Sequence, residues 1–306
     1  MLFRSLRKEV LLDGVKTPPV QVIGHLNAVI FLPQMTGILE DGPDERRRYL
    51  NLVISQAQPA YTRALSEYNQ ALTQRNALLK LLYERGGDTS QLDYWDEILA
   101  SRGAKLISDR IDAVQELEQL AKRIHEQLTG SSEVIRLIYQ PSYDPLPPPQ
   151  GQFALPIQVQ VQRNGLTIEK IKEGFMARLA EIRREEIARG VTTVGPHRDE
   201  MRVLCNGIDL TDFGSRGQIR TALLSLKLSE VDWLKQKTGE WPVLLLDETL
   251  AELDTQRRAY LLSYLEKTEQ VILTTTDMNL FPPDFREKCE RWQVVSGSVE
   301  KIANEE

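Results

Sequence analysis

Between Pro43 and Leu128 the apolar positions recur at helical spacing. Tyr61, Leu65, Tyr68, Leu72, Leu78 and Leu82 form one stripe, which Gly86-Gly87 ends. A second arm from about Gln91 to Leu128 carries Ile107, Ile111, Val114, Leu117, Leu120 (or Ala121), Ile124 and Leu128. Two long amphipathic helices joined by a turn pack as an antiparallel pair, with these stripes as the seam. Pro43 followed by Asp44 and Glu45 suits a first helical turn, and Pro59 predicts a break. Thr167–Arg189 repeats the pattern through Ile168, Ile171, Phe175, Leu179 and Ile182, and Gly190 closes it at the C′ position.

Other stretches change the period. Val243–Leu246 is apolar without alternation, which suits a strand buried on both faces of a parallel sheet. Ala28–Leu32, stopped by Pro33, and Gln270–Asp277 read similarly. Ser132–Gln140 reads as a strand, Tyr143–Pro149 as a loop, and Ile157–Gln162 alternates like a half-exposed strand. Val191–Leu204 is expected to be extended, and Asp13-Gly14 marks a turn. The result is a mixed α/β chain with a long helical insertion.

Composition narrows this picture only a little. With 41% hydrophobic and 27% charged residues, the 306-residue chain is of ordinary globular make-up. No apolar run approaches the ~20 residues that span a bilayer, and the N-terminus lacks a secretory core. Cys205 and Cys289 show no metal-ligand spacing, so a reduced, cytoplasmic setting is expected. The net charge of −6 argues against wholesale coating of nucleic acid but leaves room for a local basic patch.

Three stretches carry candidate chemistry. Asp247 and Glu248 follow the Val243–Leu246 strand where it should surface, at the carboxyl edge where open α/β sheets bind ligands. One carboxylate there can hold Mg²⁺ and the next can orient an attacking water. Phe213–Arg220 leads into an apolar helix. Ser215 can cap it, Gly217 allows close backbone approach, and the first N–H groups suit a phosphate, with Gln218 and Arg220 adding donors. Thr274–Thr276, at the end of another strand, could meet a γ-phosphate. Each stretch alone also reads as a solvated acidic turn, an ordinary cap or a β-branched strand end. Their order and spacing favour the nucleotide reading.

In that order the sequence resembles the ABC-type ATPase heads of the SMC-like group, and specifically the RecF family of DNA replication and repair proteins. The matching residues are Gly195-Pro-His-Arg-Asp199, Ser215-x-Gly-Gln218 with Arg220-Thr221, Leu244–Asp247 with Ala251-Glu-Leu-Asp254, and Gln270–Asp277. Phe31-Leu-Pro33, Gly42-Pro43 with Arg46-Arg47, Arg75–Lys80, and Trp95-Asp96 with Gly103-Ala104 extend the likeness over nearly the whole chain. The resemblance implies an ABC-type head, a mostly parallel sheet lobe with an inserted helical-arm lobe, N-terminally truncated. The sheet lobe is expected at 1–38 and 236–306, and the second lobe at 39–235. Asp247 would bind Mg²⁺, Glu248 would polarise the hydrolytic water, and Ser215, Gly217 and Gln218 would be the signature motif. Asp254 would lie in the loop coupling two heads, with Thr275 and Thr276 at the switch position. The family's ATP hydrolysis, ATP-dependent homodimer, gapped single/double-strand DNA junctions and recombination mediator partners come with the resemblance, as does a place in DNA repair, recombination and the SOS response.

Small departures are Glu248 for a usual Asp, Gln34 for Glu, and Asn51 for Asp. A larger one is that the phosphate loop G-x-x-x-x-G-K-[ST] occurs nowhere in the sequence. The family carries it upstream, so the chain reads as beginning after it. Without that cradle, nucleotide binding by Asp247 and Glu248 alone is expected to be weak. A second reading follows: a non-hydrolysing module that lends its signature motif to an intact ATPase partner. For DNA phosphates the candidates are Arg46, Arg47 and Arg48, then Arg63 and Arg75, each of which also reads as part of a solvated face.

Overall fold

The structure, a computed structural model, describes residues 9–146, 163 and 165–302. The expected strand at 157–162 and the prolines at 147–149 lie outside the described residues. In chain order the elements begin with β1 (Leu11–Leu12), β2 (Val15–Lys16), α1 (Pro19–Val22), β3 (Ala28–Phe31) and α2 (Gly37–Glu40). Then come α3 (Pro43–Ala57), α4 (Pro59–Arg85), α5 (Leu92–Thr129), β4 (Ile135–Gln140) and α6 (Ile168–Arg189). They continue with β5 (Glu200–Cys205), β6 (Ile208–Asp209), α7 (Leu210–Phe213), α8 (Arg216–Thr238) and β7 (Val243–Asp247). The last are α9 (Thr255–Leu265), β8 (Val271–Thr274), α10 (Pro283–Glu287), β9 (Trp292–Val295) and β10 (Ser298–Lys301).

The chain forms two compact units. One takes the described residues up to Asn27 together with Thr36–Pro242, and the other takes Ala28–Met35 and the chain from Val243. The cuts fall at 27, 35 and 242, where the sequence suggested 38 and 235.

In the larger unit α4 and α5 pair as the core of the helical arm. At 1.5 Å per residue, α5 with its 38 residues is about 57 Å long. The buried face of α4 is Tyr61, Ala64, Tyr68, Ala71, Arg75, Leu79 and Leu82, while Leu65, Leu72 and Leu78 sit at its margins. Alanines at 64 and 71 let the helices approach, and the tyrosines and leucines fill the space between them. Leu79, Leu82 and Leu92 close the distal end, each contributing roughly 2 kcal/mol by burial. Gly103 is required where α6 crosses α5, because a Cβ there would stand 2.6 Å from Phe175 and 3.2 Å from Tyr68.

The stripe hides one surprise. Arg75 is fully buried, with Nε donating to Asp96 Oδ1 at 2.6 Å and Nη1 to Glu186 Oε2 at 2.6 Å and Thr192 Oγ1 at 2.9 Å. It ties α4 to α5, to α6 and to the segment after α6, so the structure removes it from the DNA-contact candidates. A guanidinium in an apolar seam is tolerable only when its charge is neutralised and most of its donors are matched; here Nε and Nη1 are matched, and Nη2 has no hydrogen-bond partner among the described residues.

The unit also holds an antiparallel sheet in the order β4-β5-β6 and the helix α8, which packs along α5.

In the smaller unit β3, β7 and β8 form a parallel sheet in that order. The parallel pairing is as the sequence suggested, but burial on both faces is not. Val29, Phe31, Leu244 and Leu246 are buried, whereas Ile30 and Ile272 are exposed and Val243 and Leu245 lie between. Successive side chains of a strand point to opposite faces, so this sheet is covered on one face among the described residues. A β9–β10 hairpin follows. Among the described residues no helix is long and apolar enough to cross a membrane.

Candidate functional site

Parallel strands end together, and register decides which residues meet at the edge. Asp247 pairs with Thr274 across β7 and β8. The Thr274 hydroxyl donates to Asp247 Oδ1, and the Glu248 N–H donates to Thr274 O at 3.3 Å. Asp247 is exposed, and its second oxygen carries no such bond among those described. Glu248 adopts the left-handed conformation, with φ 49° and ψ 15°. For a residue with a Cβ this costs about 1 kcal/mol. It swings the chain sharply at the strand end.

Asp254 is the N-cap of α9: it accepts the Arg257 N–H at 2.9 Å and pairs with the Arg257 side chain. That backbone hydrogen bond comes first among the causes holding its carboxyl below the usual range. Thr275 closes its own turn, accepting the Asp277 N–H at 3.1 Å, and Thr276 is exposed. Of the three threonines, Thr274 is the one against Asp247.

The residues expected to form the signature motif lie in the larger unit. Ser215 and Gln218 form a capping box: Ser215 Oγ accepts the Gln218 N–H, and Gln218 Oε1 accepts the Ser215 N–H, both at 3.2 Å. Ser215, Arg216 and Gly217 are exposed. A Cβ at Gly217 would have nothing within 4 Å. The fold of this chain therefore does not require a glycine at 217, and the space over the first turn of α8 is open to an anion. Helix N–H groups and the dipole aim at that space.

The arginines separate into distinct roles. Arg46 is 4% exposed; its guanidinium chelates Glu200 at 2.8 and 2.9 Å and donates to Asp41 O at 2.7 Å. It is a structural pin, and the structure withdraws it from the DNA candidates. Arg47 donates to Asp199 O at 2.6 Å and to Asp44. Arg48, with a side chain 81% exposed, lies loosely at 3.9 Å from Glu45. Arg63 is exposed.

Arg47 and Arg48 line a cleft of about 300 Å³ with Asn51, Asn69, Arg110 and His197. Asp199 holds one of its lining residues, accepting Arg110 Nη1 at 3.1 Å together with the Ser142 N–H at 2.8 Å and the Tyr139 hydroxyl. Arg110 also reaches Pro196 O, Asn51 and Tyr61. The sequence marks the Gly195–Asp199 motif but not Arg110, which lies among the apolar stripe positions of α5.

His197 has a single consistent tautomer. Its Nε2 faces the Thr192 carbonyl at 3.2 Å and must donate, so Nδ1 accepts the Tyr68 hydroxyl at 2.8 Å. Burial, then the charges of Arg198 and Arg47, bring the imidazole down to about 4 despite the Thr192 bond. The sign follows directly: below the ordinary value of about 6.5 the unfolded chain takes a proton that the folded one refuses, so stability falls as pH drops from 6.5 towards 4. On the order of 2 kcal/mol is expected across that window. Urea titrations at pH 7 and pH 5 check it: His197→Gln, which keeps one donor and one acceptor, should flatten the difference between the two pH values.

No protein-family model matches the chain. Curated relatives do. The DNA replication and repair protein RecF of Halothermothrix orenii is 40% identical over 275 residues, which is 90% of this chain and 69% of that protein. RecF of Herpetosiphon aurantiacus is 37% identical over 298 residues, 95% of this chain and 70% of that protein. Among solved structures, the recombination mediator protein RecF-ATPrS of the RecFOR pathway superposes with a TM-score of 0.80 at 32% identity, covering 97% of this chain and 74% of that one. The corresponding RecF-ATP structure gives 0.79 at 31% identity. The fold is thus that of an ABC-type ATPase head with a helical arm, as expected from the sequence. By identity and by coverage of both partners, the chain belongs to the RecF family of DNA replication and repair proteins.

Proposed function

We propose that the chain works in DNA repair and recombination as part of an ATP-dependent clamp that binds DNA at gapped single/double-strand junctions. The observation that carries this reading is the open signature turn: Ser215–Gln218 is capped, solvent-facing and clear of side chains over Gly217. Two heads meeting across ATP would place that turn against a triphosphate held by the other. Ser215 Oγ and the first N–H groups of α8 are the donors.

The Asp-Glu edge fits a hard divalent ion. Asp247 is an exposed carboxylate steadied by Thr274, and oxygen donors of this kind suit Mg²⁺. When bound, Mg²⁺ would neutralise phosphate charge. Glu248 would hold a water proton, Asp254 would couple the two heads, and Thr275 and Thr276 would line the switch. The solved structures of RecF-ATP and RecF-ATPrS support the nucleotide. Homodimerisation and recombination mediator partners belong to the same proposal.

DNA contact falls to Arg47 and Arg48 at the cleft mouth, with Arg63 beside them in the candidate set. A fluorescence-anisotropy titration of gapped duplex tests this. Phosphate contacts release counterions, so affinity should fall steeply with salt. Arg47→Ala/Arg48→Ala should reduce the log–log salt slope by about 2. An unchanged slope would remove the cleft from the interface.

One observation favours a second form of the reading. The described residues supply the signature half of a shared site, with Ser215–Gln218 capped and open over Gly217. Equilibrium binding of Mg·ATP to the chain alone separates the two forms: tight binding supports an autonomous ATPase, and weak binding supports a module lending its signature to an intact partner.

A further inference from the structure

We propose that His125, Glu133 and Cys205 form a binding site for a divalent transition-metal ion, Zn²⁺ by its ligand set, directly behind the signature turn. The three come from different places in the fold: His125 from the last turns of α5, Glu133 from the connection to β4, and Cys205 from the end of β5. Their ligand atoms lie within 4.8 Å of one another, with His125 Nε2 and Glu133 Oε2 3.4 Å apart.

Tautomer geometry strengthens the argument. The Ser225 hydroxyl donates to the Thr221 carbonyl at 2.8 Å, as a serine one turn along a helix does. Its oxygen is therefore left to accept at its 2.9 Å contact with His125 Nδ1. Nδ1 carries the proton, and in the neutral ring Nε2 presents a lone pair towards a carboxylate oxygen. An imidazole nitrogen and a carboxylate oxygen at that distance, with the Cys205 sulfur within 4.8 Å, can share one cation. A second-shell oxygen that fixes the tautomer, leaving the other nitrogen to the metal, is the usual arrangement for ligating histidines.

The chemistry selects the ion. One imidazole, one thiolate and one carboxylate suit Zn²⁺ and its spectroscopic substitute Co²⁺, and disfavour Mg²⁺ and Ca²⁺, which prefer all-oxygen sites. Zn–N and Zn–O bonds near 2.0–2.1 Å and Zn–S near 2.3 Å fit ligand atoms at these separations after small side-chain shifts. Three protein ligands leave a fourth position open. Burial and the adjacent Glu133 push the Cys205 thiol up to about 11, so metal binding would release its proton. The site also touches the cap: Gln218 Nε2 donates to Glu133 Oε1 at 3.1 Å and lies 4.0 Å from Cys205 Sγ. A metal on Oε2 would fix Glu133 and, through Oε1, brace Gln218.

The test is Co²⁺ added to the full chain and followed by absorption spectroscopy. The expected result is a thiolate-to-cobalt charge-transfer band saturating at one ion per chain, displaced by Zn²⁺. Cys205→Ser should abolish the band and Cys289→Ser should leave it intact. Glu133→Gln, at a partly exposed position, should weaken Co²⁺ binding at least tenfold. Absence of a band in the unaltered chain, or its survival in a folded Cys205→Ser, would overturn the proposal. If circular dichroism shows Cys205→Ser unfolded, Glu133→Gln decides, and unchanged affinity there overturns it as well.

Discussion

Replacing Arg75 with methionine is expected to cost about 3–5 kcal/mol of folding stability. The side chains are similar in length, so lost packing is a minor part. The loss comes from stranding charge: Asp96 and Glu186, both nearly inaccessible, would face each other's neighbourhood without the guanidinium that bridges them. Arg183, which also donates to Asp96 at 2.7 Å, compensates in part. Among the described residues, Glu186 keeps the Thr193 N–H and hydroxyl as donors. Apolar replacement of all three members, Arg75→Met/Asp96→Leu/Glu186→Leu, should recover most of the loss, because buried ion networks rarely outperform well-packed hydrocarbon. Urea denaturation of the two variants beside the unaltered chain measures this. A cost below about 1 kcal/mol for Arg75→Met would show that the network is not what joins α4, α5 and α6.

Gly217→Asp should have the opposite profile, with little structural effect and a large functional one. Nothing lies within 4 Å of the new Cβ. Aspartate in a first helical turn interacts favourably with the dipole, and losing glycine lowers backbone entropy in the unfolded chain. The melting temperature should therefore hold or rise slightly. The same carboxylate would repel a triphosphate brought to the turn, so ATP-dependent association with an intact head should weaken at least tenfold, about 1.4 kcal/mol. Calorimetric melting and sedimentation with and without Mg·ATP provide the two readouts. A destabilised variant would mean that the turn is packed more tightly than its geometry indicates.

Much of the fold was legible because period and punctuation agree. Pro43, Pro59, Gly86, Gly190 and Gly239 bound helices α3, α4, α6 and α8 at or next to their ends. The Asp13-Gly14 turn has both residues at positive φ, 51° and 79°, as a tight hairpin needs. Legibility failed for charge inside apolar stripes. Arg46, Arg75 and Arg110 look like surface cations in one dimension, and only the acids brought from distant segments show that they are buried pins. The burial of β7 was overestimated because an apolar run does not say how many faces are covered. His125, Glu133 and Cys205 left no motif at all, since their proximity is created by α5, its exit turn and β5 meeting in space. Thr274 was grouped with its neighbours until strand register placed it opposite Asp247.

The central claim is that the Ser215–Gln218 turn completes an ATP site held by a second head. The most direct measurement uses a RecF protein that carries the G-x-x-x-x-G-K-[ST] loop but has its own signature glycine replaced, so that it cannot complete a site by itself. Its ATP hydrolysis should be restored by adding the unaltered chain and not by adding the Gly217→Asp chain. Failure of both to restore hydrolysis, or equal restoration by both, would contradict the account.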